Sequence, residues 1–292
     1  MKLKNKDICL CILYLLICLL IALIIYYTYK IFTTKKKYIE PFQNSIEYLT
    51  SQKVTDFLNR DYDSYVNNLS RFDLIARKVD TNNEYIQKIS NCAKDFTETQ
   101  KNIINNCCEK ADEFLKQYND LLDGKEIAKL NWKFALTDKQ NGFEYEDGLP
   151  HTRSDIIFFS DKMIPETETP DLVNTLIHEK IHVYQRQHET DVDAILSNIS
   201  NSDKLDNSDK LGFHKIVYFN PKKRANPDLN KNTYKNPKNE IMQCYYNSDN
   251  PNSIQDVTCL HNNSINEHPY EFLAYTIANK YNDYLMKKYI NI

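Results

Sequence analysis

Apolar and polar positions divide the chain into stretches of different texture. Residues 8–29 carry no charge and are almost wholly Leu, Ile, Cys and Tyr. At about 1.5 Å per helical residue the run is long enough for a ~30 Å hydrocarbon core. Its length, and the tyrosines and Lys30 that stand where a cleavage site would need small residues, predict an uncleaved transmembrane anchor behind a short tail, residues 1–7. Between Pro41 and Pro150 there is no proline. Ile46, Leu49, Val54, Phe57 and Leu58, then Phe72, Leu74 and Ile75, then Tyr85, Ile86 and Ile89 recur at helix-compatible steps. This pattern predicts a helical stalk or hairpin over residues 30–124. It breaks near Asp80, and residues 83–122 are free to form one long helix.

After Gly124 the pattern changes. Residues 132–136 and 156–159 are short runs rich in Ile, Phe and Trp, bounded by turn-forming residues, and they predict strands. A loop over residues 161–168 leads to a strong helix start: Thr169 at the N-cap, Pro170 at the first helical position and Asp171 where the helix dipole favours a negative charge. Another helix opens at Pro269 and continues an apolar stripe through Ile277, Tyr281 and Leu285. The fold class expected is α+β: a domain over residues 125–292 with an active-site helix and a small sheet, preceded by the transmembrane helix and the α-helical stalk.

Composition narrows the functions. Lys+Arg 37 against Asp+Glu 40 gives a net charge of −3, so no global positive field exists for nucleic acid. Only 4 Gly occur, against an average usage of roughly 7%, which removes Gly-rich phosphate loops. Outside the apolar run stand Cys92, Cys107, Cys108, Cys244 and Cys259, with no CxxC spacing for a structural zinc site. Cys244 and Cys259 are the candidate disulfide. Lysines flank the apolar run almost evenly and do not orient it. Sequons at Asn68, Asn198 and Asn262 favour an extracytoplasmic or lumenal body.

The chemistry lies in the helix capped by Thr169. It contains His178-Glu179-Lys180-Ile181-His182, an HExxH. Two His four residues apart sit about 40° apart on one helical face, where they can share a tetrahedral zinc, while Glu179 can reach an activated water. Asp171, Asn174, Thr175, His178, His182, Gln185 and Glu189 fall on one arc of the helix, opposite Leu172, Val173, Leu176, Ile177, Val183 and Tyr184.

HEKIH, the strand before its helix and an acidic residue downstream resemble the zincin metallopeptidases, over residues 132–292 at most. With its Asn-, Lys-, Ile- and Tyr-rich background, the phrase TLIHEKIHVYQR also resembles uncharacterised membrane-anchored metalloprotease-like proteins of large DNA viruses. Glu271, with the small Ala274 three positions on, looks like the gluzincin pattern. By that resemblance Glu271 is the third zinc ligand, Glu267 is the reserve, and Glu179 is the general base of a metal-activated water that hydrolyses peptide bonds. A metzincin reading competes through His188, six positions after His182, with Met242 imitating a Met-turn. That pattern needs Gly where Gln185 stands, and an unbroken helix carries His188 off the metal face. Tyr245, Tyr246 and His268 are candidate oxyanion stabilisers. The function implied is a membrane-anchored zinc metallopeptidase acting on a protein or peptide. The alternative is a membrane-anchored helical interaction protein whose zincin-like domain has no turnover.

Overall fold

The computed structural model describes residues 17, 19–27, 45–199 and 212–290. The chain divides into residues 1–43 and a compact unit of residues 44–292. In the first, residues 19–27 are helical and exposed. The membrane-spanning helix expected over residues 8–29 is corrected here: among the described residues no helix is long and apolar enough to cross a membrane. Nine helical residues rise only about 13 Å, less than half a hydrocarbon core. Apart from Ile17, the rest of that run lies outside the described residues.

The second unit is built on one sheet. Its centre is β3 (Trp132–Thr137), whose one edge is shared by two strands in succession. β1 (Ile46–Tyr48) runs parallel from Trp132 to Phe134, and β2 (Ala93–Lys94) runs antiparallel against Leu136 and Thr137. On the other edge β5 (Ile156–Ser160) is parallel to β3, and β4 (His151–Arg153) closes the sheet antiparallel to β5.

Alternation along the strands explains the layers. Trp132, Phe134, Leu136, Ile157 and Phe159 point to one face, and Ala135, Ile156 and Phe158 to the other. The second face packs on α1 (Ser51–Arg60) and α3 (Asn82–Ser90) through Val54, Leu58, Tyr85 and Ile89. α2 (Arg71–Ala76) lies between these two in the chain, started by a capping box of Ser70 and Asp73. The first face packs on α4 (Glu98–Leu115), α5 (Gly124–Lys129), α6 (Pro170–Gln187) and, further along the chain, α8 (Pro269–Ile290). Both faces are covered, so β5 reads Ile-Ile-Phe-Phe-Ser with every residue buried.

The stalk expected over residues 30–124 is therefore also corrected. Its helices pack on both faces of the sheet, α1 and α3 on one and α4 on the other, and its strands β1 and β2 pair with β3. Nor is there one helix over residues 83–122: α3 ends at Ser90, β2 intervenes, and α4 starts afresh at a second capping box, Thr97 with Gln100. Gly124 is required where α4 turns into α5, because a Cβ there would lie 2.2 Å from the Leu115 carbonyl oxygen.

The C-terminal half adds α7 (Glu189–Asn198) and a three-stranded sheet of β6 (His214–Ile216), β7 (Thr233–Lys235) and β8 (Ile241–Met242). A hairpin of β9 (Cys244–Tyr246) and β10 (Val257–Cys259) follows, and Cys244 and Cys259 face each other in register and form the expected disulfide.

Two buried guanidinium groups tie the layers together. Arg153, fully buried on β4, binds Asp61, Asp63 and the Tyr145 hydroxyl. Arg77 donates to both oxygens of Glu146, and Glu146 Oε1 also accepts from the Tyr85 hydroxyl. Removing such a cation leaves carboxylates buried without a counter-charge. Arg153→Ala is expected to lower the unfolding free energy by about 3–5 kcal/mol, and a loss below about 1 kcal/mol in urea unfolding would refute that role.

Candidate metal centre

α6 starts as its sequence predicts: the Thr169 hydroxyl accepts from the Leu172 N–H, with Pro170 at the first position. Its rotation about its own axis is set from behind. Lys180, a spacer residue of HEKIH, is buried, donates to Asp112 at 2.6 Å and lies 4.0 Å from the Trp132 ring centre. Asp112 also accepts from the Trp132 indole N–H at 3.1 Å. Lys180 thus ties the back of α6 to α4 and β3, which leaves His178 and His182 facing α8.

α8 packs along that face. The Asn174 amide donates to the Ala278 carbonyl at 2.8 Å, and Ala274 and Ala278 are fully buried in the contact. Small side chains let the helices approach, and Glu271 is carried up to the two histidines. His178 Nε2 and His182 Nε2 are 3.0 Å apart. Glu271 Oε2 is 3.4 Å from the first and 3.7 Å from the second. A tetrahedral ion about 2.0–2.1 Å from each donor would set neighbouring donors roughly 3.3–3.4 Å apart. The three observed separations straddle that spacing, so the three donors could hold a metal ion. Among the described residues this is the group of three that could hold a metal.

The surroundings orient the donors. The Tyr270 carbonyl can only accept, so the Gln185 amide nitrogen faces it at 3.0 Å. Gln185 Oε1 is thereby turned to His182 Nδ1, at 2.8 Å. Nδ1 must carry the proton, and the Nε2 lone pair is left pointing at the centre. On the other side Asn226 donates to Glu271 Oε1 at 2.9 Å, which leaves Oε2 for the metal. Gln185→Ala is expected to weaken zinc binding about 10–100-fold without removing a donor. Competition with a chromophoric chelator measures this, and unchanged affinity would refute the orienting role.

Glu179 stands beside the triangle and outside it. Its Oε2 accepts from the Thr152 hydroxyl at 2.9 Å, and it lines a cavity of about 500 Å³ together with His178, Glu271 and Tyr275. Burial, with the nearby Asp228 charge, pushes its carboxyl well above the usual range. Burial acts in the same sense on Glu271, but in the metal-free site the two histidines, once protonated on Nε2, outweigh it through the His182 charge and their hydrogen bonds and hold that carboxyl well below.

The remaining candidates lie elsewhere. Glu267 is bound through both oxygens by Arg224 and is not among the clustered donors. His188 caps the end of α6, stacks on Tyr184 and faces Asp191. Met242 is buried on β8. Tyr245 is exposed, Tyr246 donates to Asp73, and His268 is buried against Asn230, so none of the three lines the cavity. Tyr275 does, with its ring 4.4 Å from that of His178. The sequence did carry a signal for it: Tyr275 is four residues after Glu271, on the same helical face.

Comparisons with protein-family models, with curated proteins and with solved structures find no match for this chain. Any function must be argued from the site itself.

Proposed function

We propose that the protein is a zinc-dependent metallopeptidase that hydrolyses peptide bonds, with His178, His182 and Glu271 holding the metal and Glu179 as general base. The donor triangle supports this reading most. Two imidazoles and one carboxylate are a zinc set with three protein ligands, which leaves a position open for chemistry. When bound there, zinc would supply Lewis acidity, polarising a scissile carbonyl and acidifying water.

The chain's own residues supply the rest. Glu179, held by Thr152, takes the proton of the attacking water and delivers it to the leaving amine. Tyr275 offers a hydroxyl donor from the cavity wall. The edge strand bounds the cavity but does not present its whole length. At Thr152 the outward N–H is taken by Asp228 and the outward carbonyl by Arg186. An extended substrate would therefore lie along Leu149, Pro150 and His151, which line the cavity, and not add at Thr152.

The test is metal content and turnover of the purified chain. One zinc per chain is expected, together with cleavage of a mixed peptide library that stops on chelation and returns with zinc. Failure to bind zinc would remove the proposal, and zinc without cleavage of any peptide would reduce the site to a binding one.

A further inference from the structure

The lining of the catalytic cavity stops at Glu179 on α6 and at His151 on β4, and residues 224–228 wall it there. This wall bonds the edge strand where a substrate would otherwise continue. Asp228 accepts the Thr152 N–H, and Arg186 donates to the carbonyls of both Thr152 and Pro227. An extended chain adds to a sheet edge through those outward groups. A substrate running along residues 149–151 therefore has to end at the wall, beside Glu179.

Charge decides which end of a peptide fits there. Arg224 and Glu267 hold each other, and Glu146 is held by Arg77. Asp228 remains. It lines the cavity while only 8% exposed; one oxygen takes the Thr152 N–H, and the other takes no hydrogen bond among the described residues. The Asn226 side chain accepts the Asp228 N–H and fixes its position. Arg186 faces Asp228 from outside the cavity and gives its hydrogen bonds to carbonyls. Thr152 joins Asp228 to the reacting centre, its N–H on Asp228 and its hydroxyl on Glu179, and the Asp228 charge reaches Glu179, His182 and Tyr275. A carboxylate so placed repels the C-terminal carboxylate of a peptide and accepts a charge-assisted hydrogen bond from an ammonium.

We propose that the protein is an aminopeptidase, in which Asp228 binds the free α-ammonium of the substrate while the first peptide bond lies at the metal centre. This rests on the peptidase reading and narrows its substrates to unblocked N-termini. Water adds across that bond: its hydroxyl goes to the carbonyl carbon, its other proton passes through Glu179 to the leaving nitrogen, and the C–N bond breaks. A free amino acid and a peptide one residue shorter result. The remainder of the peptide runs towards the exposed Leu149.

Two measurements on the full-length chain test this. In zinc-loaded Glu179→Gln, which turns over too slowly to interfere, calorimetry should show trileucine binding at least tenfold tighter than N-acetyltrileucine, and trileucinamide binding like trileucine. With the parent chain, mass spectrometry of a peptide library should show residues leaving one at a time from the N-terminus, at least tenfold more slowly when the library is acetylated. Asp228→Asn keeps an oxygen for the Thr152 N–H, so zinc content and melting should hold. Its preference for free over acetylated peptide should fall at least tenfold in both measurements, which destabilisation alone would not produce. The proposal is overturned if free and acetylated peptides behave alike, if cleavage begins inside the peptide or at its C-terminus, or if Asp228→Asn keeps the preference. A zinc-loaded chain that cleaves no form removes the peptidase reading and this one with it, whereas cleavage indifferent to acetylation removes this one alone.

Discussion

Glu179→Gln is expected to leave one zinc per chain and to reduce peptide hydrolysis roughly 10²–10⁴-fold, the usual contribution of a positioned general base. Glu179 is outside the donor triangle, so the metal should not notice the change. The amide oxygen can still accept the Thr152 hydroxyl that now bonds Glu179, so the side chain should keep its place. Folding should not suffer either. Burial and Asp228 both disfavour a charge at this position, and a neutral side chain relieves that cost. Zinc content, thermal melting and turnover measured on one preparation separate these effects. If the variant keeps more than a tenth of the parent activity, Glu179 is not the base; if it loses zinc, Glu179 supports the metal after all.

Glu271→Ala should have the complementary outcome. It removes one of three donors, so zinc affinity should fall by more than the ~10–100-fold expected for an outer partner such as Gln185. Two helices separated by more than eighty residues are joined at this centre, and metal binding stabilises the fold that assembles them. The zinc-dependent part of the melting temperature should therefore disappear with Glu271. His188→Ala is the control and should change neither quantity, because His188 stacks on Tyr184 at the end of α6. Glu267→Ala should destabilise the chain by leaving the half-buried Arg224 without its partner, while the three candidate donors remain. If His188→Ala strips the zinc and Glu271→Ala leaves it bound, the assignment of ligands is wrong.

Local pattern made several features legible. The spacing of HEKIH puts His178 and His182 on one face because an α-helix turns 3.6 residues per turn, and Thr169 with Pro170 starts that helix by satisfying local backbone groups. The strand ending at Ser160 and the helix opening at Pro269 likewise follow from apolar runs and turn chemistry. These signals act within one element, and the sequence states them directly.

Other features depended on what each element packs against. β1 and β2 are three and two residues long, too short to show a period, so the helices around them read as a stalk, whereas the pairing of both strands with β3 makes that stretch part of the domain. The long apolar run near the N-terminus read as a membrane span, yet no described helix is long and apolar enough to be one. The choice between Glu271 and Glu267 was not local either. Arg224 takes Glu267, Asn226 holds one oxygen of Glu271 and turns the other inward, and both partners come from a loop more than forty residues away. Gln185 read as an obstacle to one motif, and tertiary contact with the Tyr270 carbonyl made it the residue that aims His182. Sequence period determines which side chains share a face of one helix. Which groups from distant elements meet that face, and which of them are already bonded, depends on long-range packing that no local pattern encodes.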